Sequence, residues 1–186
     1  MVKNMLDCER DAIIEVADMM VLAAKTAPKG SGKDTVEACV LTGEDKDALS
    51  AMMRKMGEAT GVSIFVRDAG CVDRSTAVVL VGCKDTPFGM NNCSMCGFEN
   101  CAKMKQAGSN CVFNVTDLGI ATSSAVSIAA DHRIDNRIMY TIGRAAVKMN
   151  YLSDKVGLIW GIPLSSSPKS IFFDRAPGMT VNCSDK

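Results

Sequence analysis

The sequence predicts an α+β fold, a small sheet packed by helices, into which a cysteine-rich module is inserted. Three observations predict it. Stretches with apolar residues at helical spacing alternate with short apolar runs that read as strands. The clearest of those runs, Thr76 to Val81, is continuous in apolar residues and bounded by Gly82. Between Lys84 and Cys111 the composition breaks with both flanks: Pro87, three glycines, four asparagines and four cysteines stand among almost no aliphatic residues.

In chain order, the first helix is expected from Cys8 to about Thr26, with Ile13, Ala17, Met20 and Ala24 on one face. Pro28, Gly30 and Gly32 end it. Val36 to Leu41 reads as a buried strand. A helix is expected after Gly43, with Ala48, Met52 and Met56 on one face beside Leu49 and Met53. Beyond the cysteines, a helix is expected after Asp117, with Ala121, Ala125, Ile128 and Ala129 as a small-residue face. Asp135 is expected to cap a further helix with Ile138, Ile142, Ala145 and Met149 inward. Leu158 to Leu164 reads as a last strand broken by Pro163, and Phe172-Phe173-Asp174-Arg175 precedes a polar tail. The order is helix, strand, helix, strand, cysteine module, two helices, strand. The expected division is a body of residues 1–83 and 112–186 and a module of residues 84–111.

Composition narrows the function. At 186 residues the chain is long enough to bury a substantial core without disulfides. The 21 basic and 21 acidic side chains cancel, which argues against a nucleic-acid binder. No apolar run is expected to reach the length of a membrane span, and the start of the chain turns charged too early for a secretory signal, so the cytoplasm is the expected compartment. The Asn114-Val115-Thr116 sequon then has no significance. A single histidine, His132, and the lack of a nucleophile motif around any serine leave hydrolase chemistry with little support. His132 is expected at a helix end, in a surface or capping role.

Nine cysteines are many for a reducing compartment, and four of them crowd between Cys93 and Cys111. They read Cys93-Ser-Met-Cys96-Gly-Phe-Glu-Asn-Cys101, with Cys111 following after nine more residues. Cys-x2-Cys lets consecutive thiolates point at one centre, and Gly97 frees the backbone to wrap round a bulky group. A cubane cluster takes one thiolate per iron, so four cysteines satisfy a [4Fe–4S] cluster. A structural zinc site more often uses two short pairs, whereas three ligands together and one apart favour the cluster. A segment so poor in aliphatic residues is not expected to make its own core, and a metal centre would staple it. Cys39 and Cys83 read as buried structural thiols, with Cys83, ten residues before Cys93, the alternative ligand, and Cys8, Cys71 and Cys183 read as spare ones. Gly30-Ser31-Gly32-Lys33-Asp34 departs from a phosphate loop at Ala27 and Asp34 and follows a helix, so it reads as a connecting loop.

The stretch Cys93-x2-Cys96-Gly-x3-Cys101 resembles the [4Fe–4S] domain attached to redox proteins of anaerobic metabolism, although those proteins generally place the fourth cysteine farther away than Cys111. Thr26-Ala27-Pro28-Lys29, Arg67-Asp68-Ala69, Asp117-Leu118-Gly119-Ile120-Ala121, Asp135-Asn136-Arg137-Ile138-Met139-Tyr140 and Gly161-Ile162-Pro163-Leu164 resemble the uncharacterised ferredoxin-domain-containing proteins over nearly the whole chain. That resemblance implies a cluster-binding protein and brings no substrate; the expected role of the cluster is electron transfer, with donor and acceptor unassigned. The body also resembles the flavin-dependent nitroreductase fold, in the order of elements and in a helix ending in Ala-Pro before a loop and a Val-rich strand. This second resemblance implies a mostly antiparallel sheet, a homodimer and FMN at the dimer interface. The arginine-and-serine motif that holds the flavin phosphate in that family has only Arg10 in its place here. Lys29, Lys33 and Arg144 are further phosphate candidates by residue type.

Overall fold

The computed structural model describes residues 2–173. The expected Asp174-Arg175 ending and Cys183 lie outside the described residues. Helix α1 (Met5–Thr26) starts three residues earlier than expected, because the Asn4 side chain accepts the Asp7 N–H at 2.9 Å and caps it. Its inward residues include Ile13, Ala17, Met20 and Ala24. A short 3-10 turn, Gly30–Gly32, leads into strand β1 (Val36–Leu41), whose bounds are those expected.

Helix α2 (Gly43–Thr60) buries Leu49, Met53 and Met56, while Met52 is half-buried and Ala48 faces solvent. The inward face is thus rotated toward Leu49 and Met53. Helix α3 (Ser63–Asp73) adds an element absent from the expected order. Its buried Asp68 is held by Arg67 and receives the Thr141 hydroxyl at 2.6 Å.

Strand β2 (Ala77–Lys84) is the centre of the molecule. Ala77, Val79, Val81 and Cys83 pack toward α1 and toward α5 (Val112–Asp131), whereas Val78 and Leu80 pack toward α2, α3 and α6 (Tyr140–Met149). Burial on both faces explains the continuous apolar run, and each such side chain contributes about 1.5–3 kcal/mol over its exposed state. The sheet order is β1-β2-β4-β3, all pairs antiparallel, with β3 at Asp135–Asn136 and β4 at Val156–Ser165. The molecule is therefore a helix–sheet–helix sandwich.

Three expectations are corrected in this half of the chain. Asp135 does not cap a helix: it pairs with Ser165 in β3, α6 begins at Tyr140, and Ile138 is exposed. Pro163 does not break β4. Gly161 exchanges backbone hydrogen bonds with Met139, so by the two-residue alternation Pro163 turns its missing N–H to that same side, between the Met139 and Asn136 pairings, and the β2 ladder is intact. Helix α5 is long and apolar enough by length and composition to cross a membrane, yet Ala121, Ala125 and Ala129 lie buried in the core against α1 and the sheet.

Candidate metal centre

Residues 85–100 run without helix or strand, and helix α4 (Cys101–Gln106) closes the segment. Asn100 caps α4 by accepting the Lys103 N–H at 3.0 Å, which sets Cys101 as its first residue. Gly97 adopts φ 82°, a conformation glycine takes without strain, directly after Cys96. Gly108 at φ 67° turns the chain back from α4, and Cys111 then forms the N-terminal boundary of α5.

All four cysteines singled out by spacing line one cavity of about 590 Å³. Cys111 is buried and the other three are half-buried. The segment also has a small core of its own, contrary to expectation: Phe88, Met104 and Cys111 are buried together, with Cys96, Phe98 and Phe113 against them. The rings of Phe88 and Phe113 meet at 5.1 Å. Aromatic side chains were the available signal in the sequence, and a search for aliphatic runs passes over them.

Three contacts fasten this wall to the body. The Asn114 amide donates to the carbonyls of Lys84 and Thr86 at 3.0 and 2.6 Å. Lys33 donates to the Phe88 carbonyl at 2.9 Å. The Asp117 carboxylate accepts the Gly30 N–H. Asn114 and Asp117 are both buried on the first turns of α5, so the helix that begins at Cys111 also carries the anchors.

The donor set can be tested against the two rival centres. Among the described residues no three His, Cys, Asp or Glu side chains close on a single point that would hold one ion. A tetrahedral zinc needs four donors at about 2.3 Å from one atom. A cubane needs a thiolate on each of four irons and occupies a volume. Four cysteines on one cavity supply the four thiolates a cubane needs. The N-terminal N–H groups and dipole of α5 favour negative charge beside Cys111, as a thiolate-ligated cluster would bring.

Among the described residues the other thiols do not line this cavity. Burial pushes Cys39 and Cys83 up to about 11, and Asp117 and Cys111 reinforce the shift at Cys83. Cys71 is buried and also raised, chiefly by burial. Cys8 is exposed on α1.

The residues named for a flavin phosphate do not converge within one chain. Arg10 is paired with Asp7 and Asp11 near the start of α1. Lys29 lies beyond the other end of that helix, about 24 Å away along the axis by the rise per residue. Its ammonium donates to the carbonyls of Ala24, Lys25 and Ala27 at 2.8–2.9 Å, which caps the helix and occupies all its donors. Arg144 is exposed on α6, in the opposite helical layer. Gly30–Gly32 is a connecting turn, and His132 sits at the C-terminal boundary of α5 with its backbone N–H bonded to Ile128 and Ala130.

Comparison with known proteins places the fold and the family. Nitroreductases share the architecture: one from Lactococcus lactis in complex with chloramphenicol has a TM-score of 0.57 at 15% identity, over 97% of this chain and 90% of that one. A nitroreductase with bound FMN from Desulfitobacterium hafniense has a TM-score of 0.56 at 13% identity, over 84% of this chain and 79% of that one. The fold is thus nitroreductase-like, as the order of elements implied. A protein of Archaeoglobus fulgidus, described as an uncharacterized protein, is 42% identical over 95% of this chain and 99% of its own length. A family model described as "Uncharacterized protein containing a ferredoxin domain (DUF2148)" matches residues 107–175, which include Cys111, α5, α6 and β4. The chain belongs to this family of ferredoxin-domain-containing proteins.

Proposed function

We propose that the protein is an iron–sulfur redox protein in which Cys93, Cys96, Cys101 and Cys111 hold a [4Fe–4S] cluster that serves electron transfer. The observation that carries this reading is the meeting of all four cysteines on one cavity. The ferredoxin-domain family supports it. Bound there, the cluster supplies one-electron chemistry. The chain's own residues do the rest. Four thiolates hold the irons, and Phe88, Phe98, Phe113 and Met104 limit water at the sulfurs. Met90 lines the cavity and is exposed, and exposed Met95 and the lysines of α4 neighbour the cysteines in sequence, a surface a redox partner would meet. A reducing, cytoplasmic setting suits four free thiolates. The test is Cys96→Ser in anaerobically purified protein, which loses most of the visible absorption if Cys96 is a ligand. An unchanged spectrum removes Cys96 from the set.

A second reading follows from the likeness to an FMN-bound nitroreductase: a flavoenzyme with an attached cluster, reducing a small organic acceptor. Because Arg10, Lys29 and Arg144 do not converge in one chain, a flavin phosphate site would need other donors or a second copy of the chain in a homodimer. Protein stripped of its cluster and incubated with FMN would retain flavin and sediment as a dimer. No flavin uptake counts against this reading and leaves the first intact.

A further inference from the structure

The loop joining α1 to β1 reaches the cysteine cavity through one lysine. Lys33 Nζ donates to the Phe88 carbonyl at 2.9 Å and stands 4.6 Å from the centroid of the Phe88 ring. Phe88 is 7% exposed and lines the cavity together with the four cysteines. Gly30 closes on the same ring, where a Cβ would lie 2.9 Å from Phe88 Cζ. Ser31 at φ 50° and Gly32 at φ 64° are both left-handed, and Asp117 fixes the turn by its hold on Gly30. A non-glycine residue in that conformation is uncommon. Here it forms part of the turn that delivers the lysine to the ring.

The consequence is electrostatic. An electron arriving in the cavity adds negative charge, and a cation held one ring away stabilises the reduced form. The carbonyl and the ring face keep the ammonium at that place instead of letting it range through solvent.

Resting on the iron–sulfur reading above, we propose that Lys33 is a positioning residue of the cysteine cavity: it fixes the Phe88 wall and holds the reduction potential of the bound cluster above the value it has without that charge. The test is an anaerobic redox titration of the full chain and of Lys33→Met and Lys33→Arg, with iron and sulfide measured on the same samples. Lys33→Met shifts to lower potential at unchanged iron and sulfide, and Lys33→Arg stays near the wild-type value. Because Lys33 is exposed, the gap between wild type and Lys33→Met narrows as salt rises, which a purely structural role would not produce. Lys33→Met with a full cluster and the wild-type potential overturns the role of Lys33 and leaves the iron–sulfur reading standing. Wild-type protein without iron and sulfide overturns both. If Lys33→Met does not assemble a cluster, Lys33→Gln carries the test: its amide still donates to the Phe88 carbonyl while the charge is gone, so the potential falls, whereas a wild-type potential in Lys33→Gln with a full cluster overturns the proposal.

Discussion

The carboxylate of Asp117 takes the backbone N–H of Gly30 on both of its oxygens, each at 3.1 Å. Asp117 is 4% exposed and lies in the second turn of the helix that begins after Cys111. Gly30 opens the turn that carries Lys33 to Phe88. One hydrogen-bonded pair therefore ties the helix of the most distant cysteine to the loop behind the cavity wall.

Breaking that tie has a measurable cost. Asp117→Ala should lower stability by about 1.5–3 kcal/mol, the range for hydrogen bonds to charged groups. Asp117→Asn keeps an acceptor and should lose less. Denaturant melts of the cluster-free protein read both variants, and a wild-type midpoint in Asp117→Ala would show that the contact contributes nothing.

Asn114 is predicted to hold down the start of the cysteine segment. Its amide nitrogen serves the Lys84 and Thr86 carbonyls, and its buried oxygen has no partner. Asn114→Ala should cost about 1–3 kcal/mol by stranding two acceptors. Asn114→Asp should cost more, because it sets a buried carboxylate against those carbonyls. Limited proteolysis should then cut residues 85–100 faster than in wild type; equal rates would place the anchor elsewhere.

At Gly143, helix α6 meets the β4 backbone with no side chain between them. A Cβ at Gly143 would stand 1.7 Å from the Ile159 carbonyl oxygen, and one at Gly161 would stand 2.0 Å from the Ile142 side chain. Gly143→Ala meets backbone, which cannot swing aside, so α6 must lift. A loss of about 1–3 kcal/mol or more follows from overpacking. Gly161→Ala meets Ile142 at its Cβ as well, 2.4 Å away, which no change of rotamer moves, so it should cost a similar amount. Thermal melts read the two, and a neutral Gly143→Ala would contradict the packing.

The buried thiols predict an alkaline limb. Cys39 and Cys83 ionise near 11 in the folded chain, against an ordinary thiol value of 9.0, because burial penalises the thiolate. Between those values the unfolded chain binds fewer protons than the folded one, so unfolding becomes easier as pH rises. Their contribution to stability is present in full below about pH 9 and is lost toward about pH 11. Cys83→Ala in cluster-free protein should flatten that limb; an unchanged slope would assign it to other groups.

Local pattern carried much of the fold. Val36–Leu41 emerged with its bounds intact because a short apolar run between breakers has few other readings. Helix α3 escaped because Arg67-Asp68-Ala69 and Gly70 interrupt its apolar spacing, and the burial of Asp68 depends on Thr141, far along the chain. Asp135 misled for a related reason: an Asx residue before an apolar spacing fits a cap, and only its pairing with Ser165 makes it a strand. Such long-range pairings leave no mark in a local window.

At the candidate centre, spacing alone identified the four cysteines that the fold brings to one cavity. Their supports were hidden. Phe88, Lys33, Gly30, Asn114 and Asp117 come from separate parts of the sequence and meet only when α1 and α5 pack side by side. The phosphate candidates Arg10, Lys29 and Arg144 lie apart within one chain, since residue type says nothing about which end of a helix, or which layer, a charge occupies.

The central claim is a cubane cluster on Cys93, Cys96, Cys101 and Cys111. Its most direct test is iron, acid-labile sulfide and zinc measured on one anaerobically purified sample. About four irons and four sulfides per chain are predicted; one zinc per chain with no sulfide would contradict the claim.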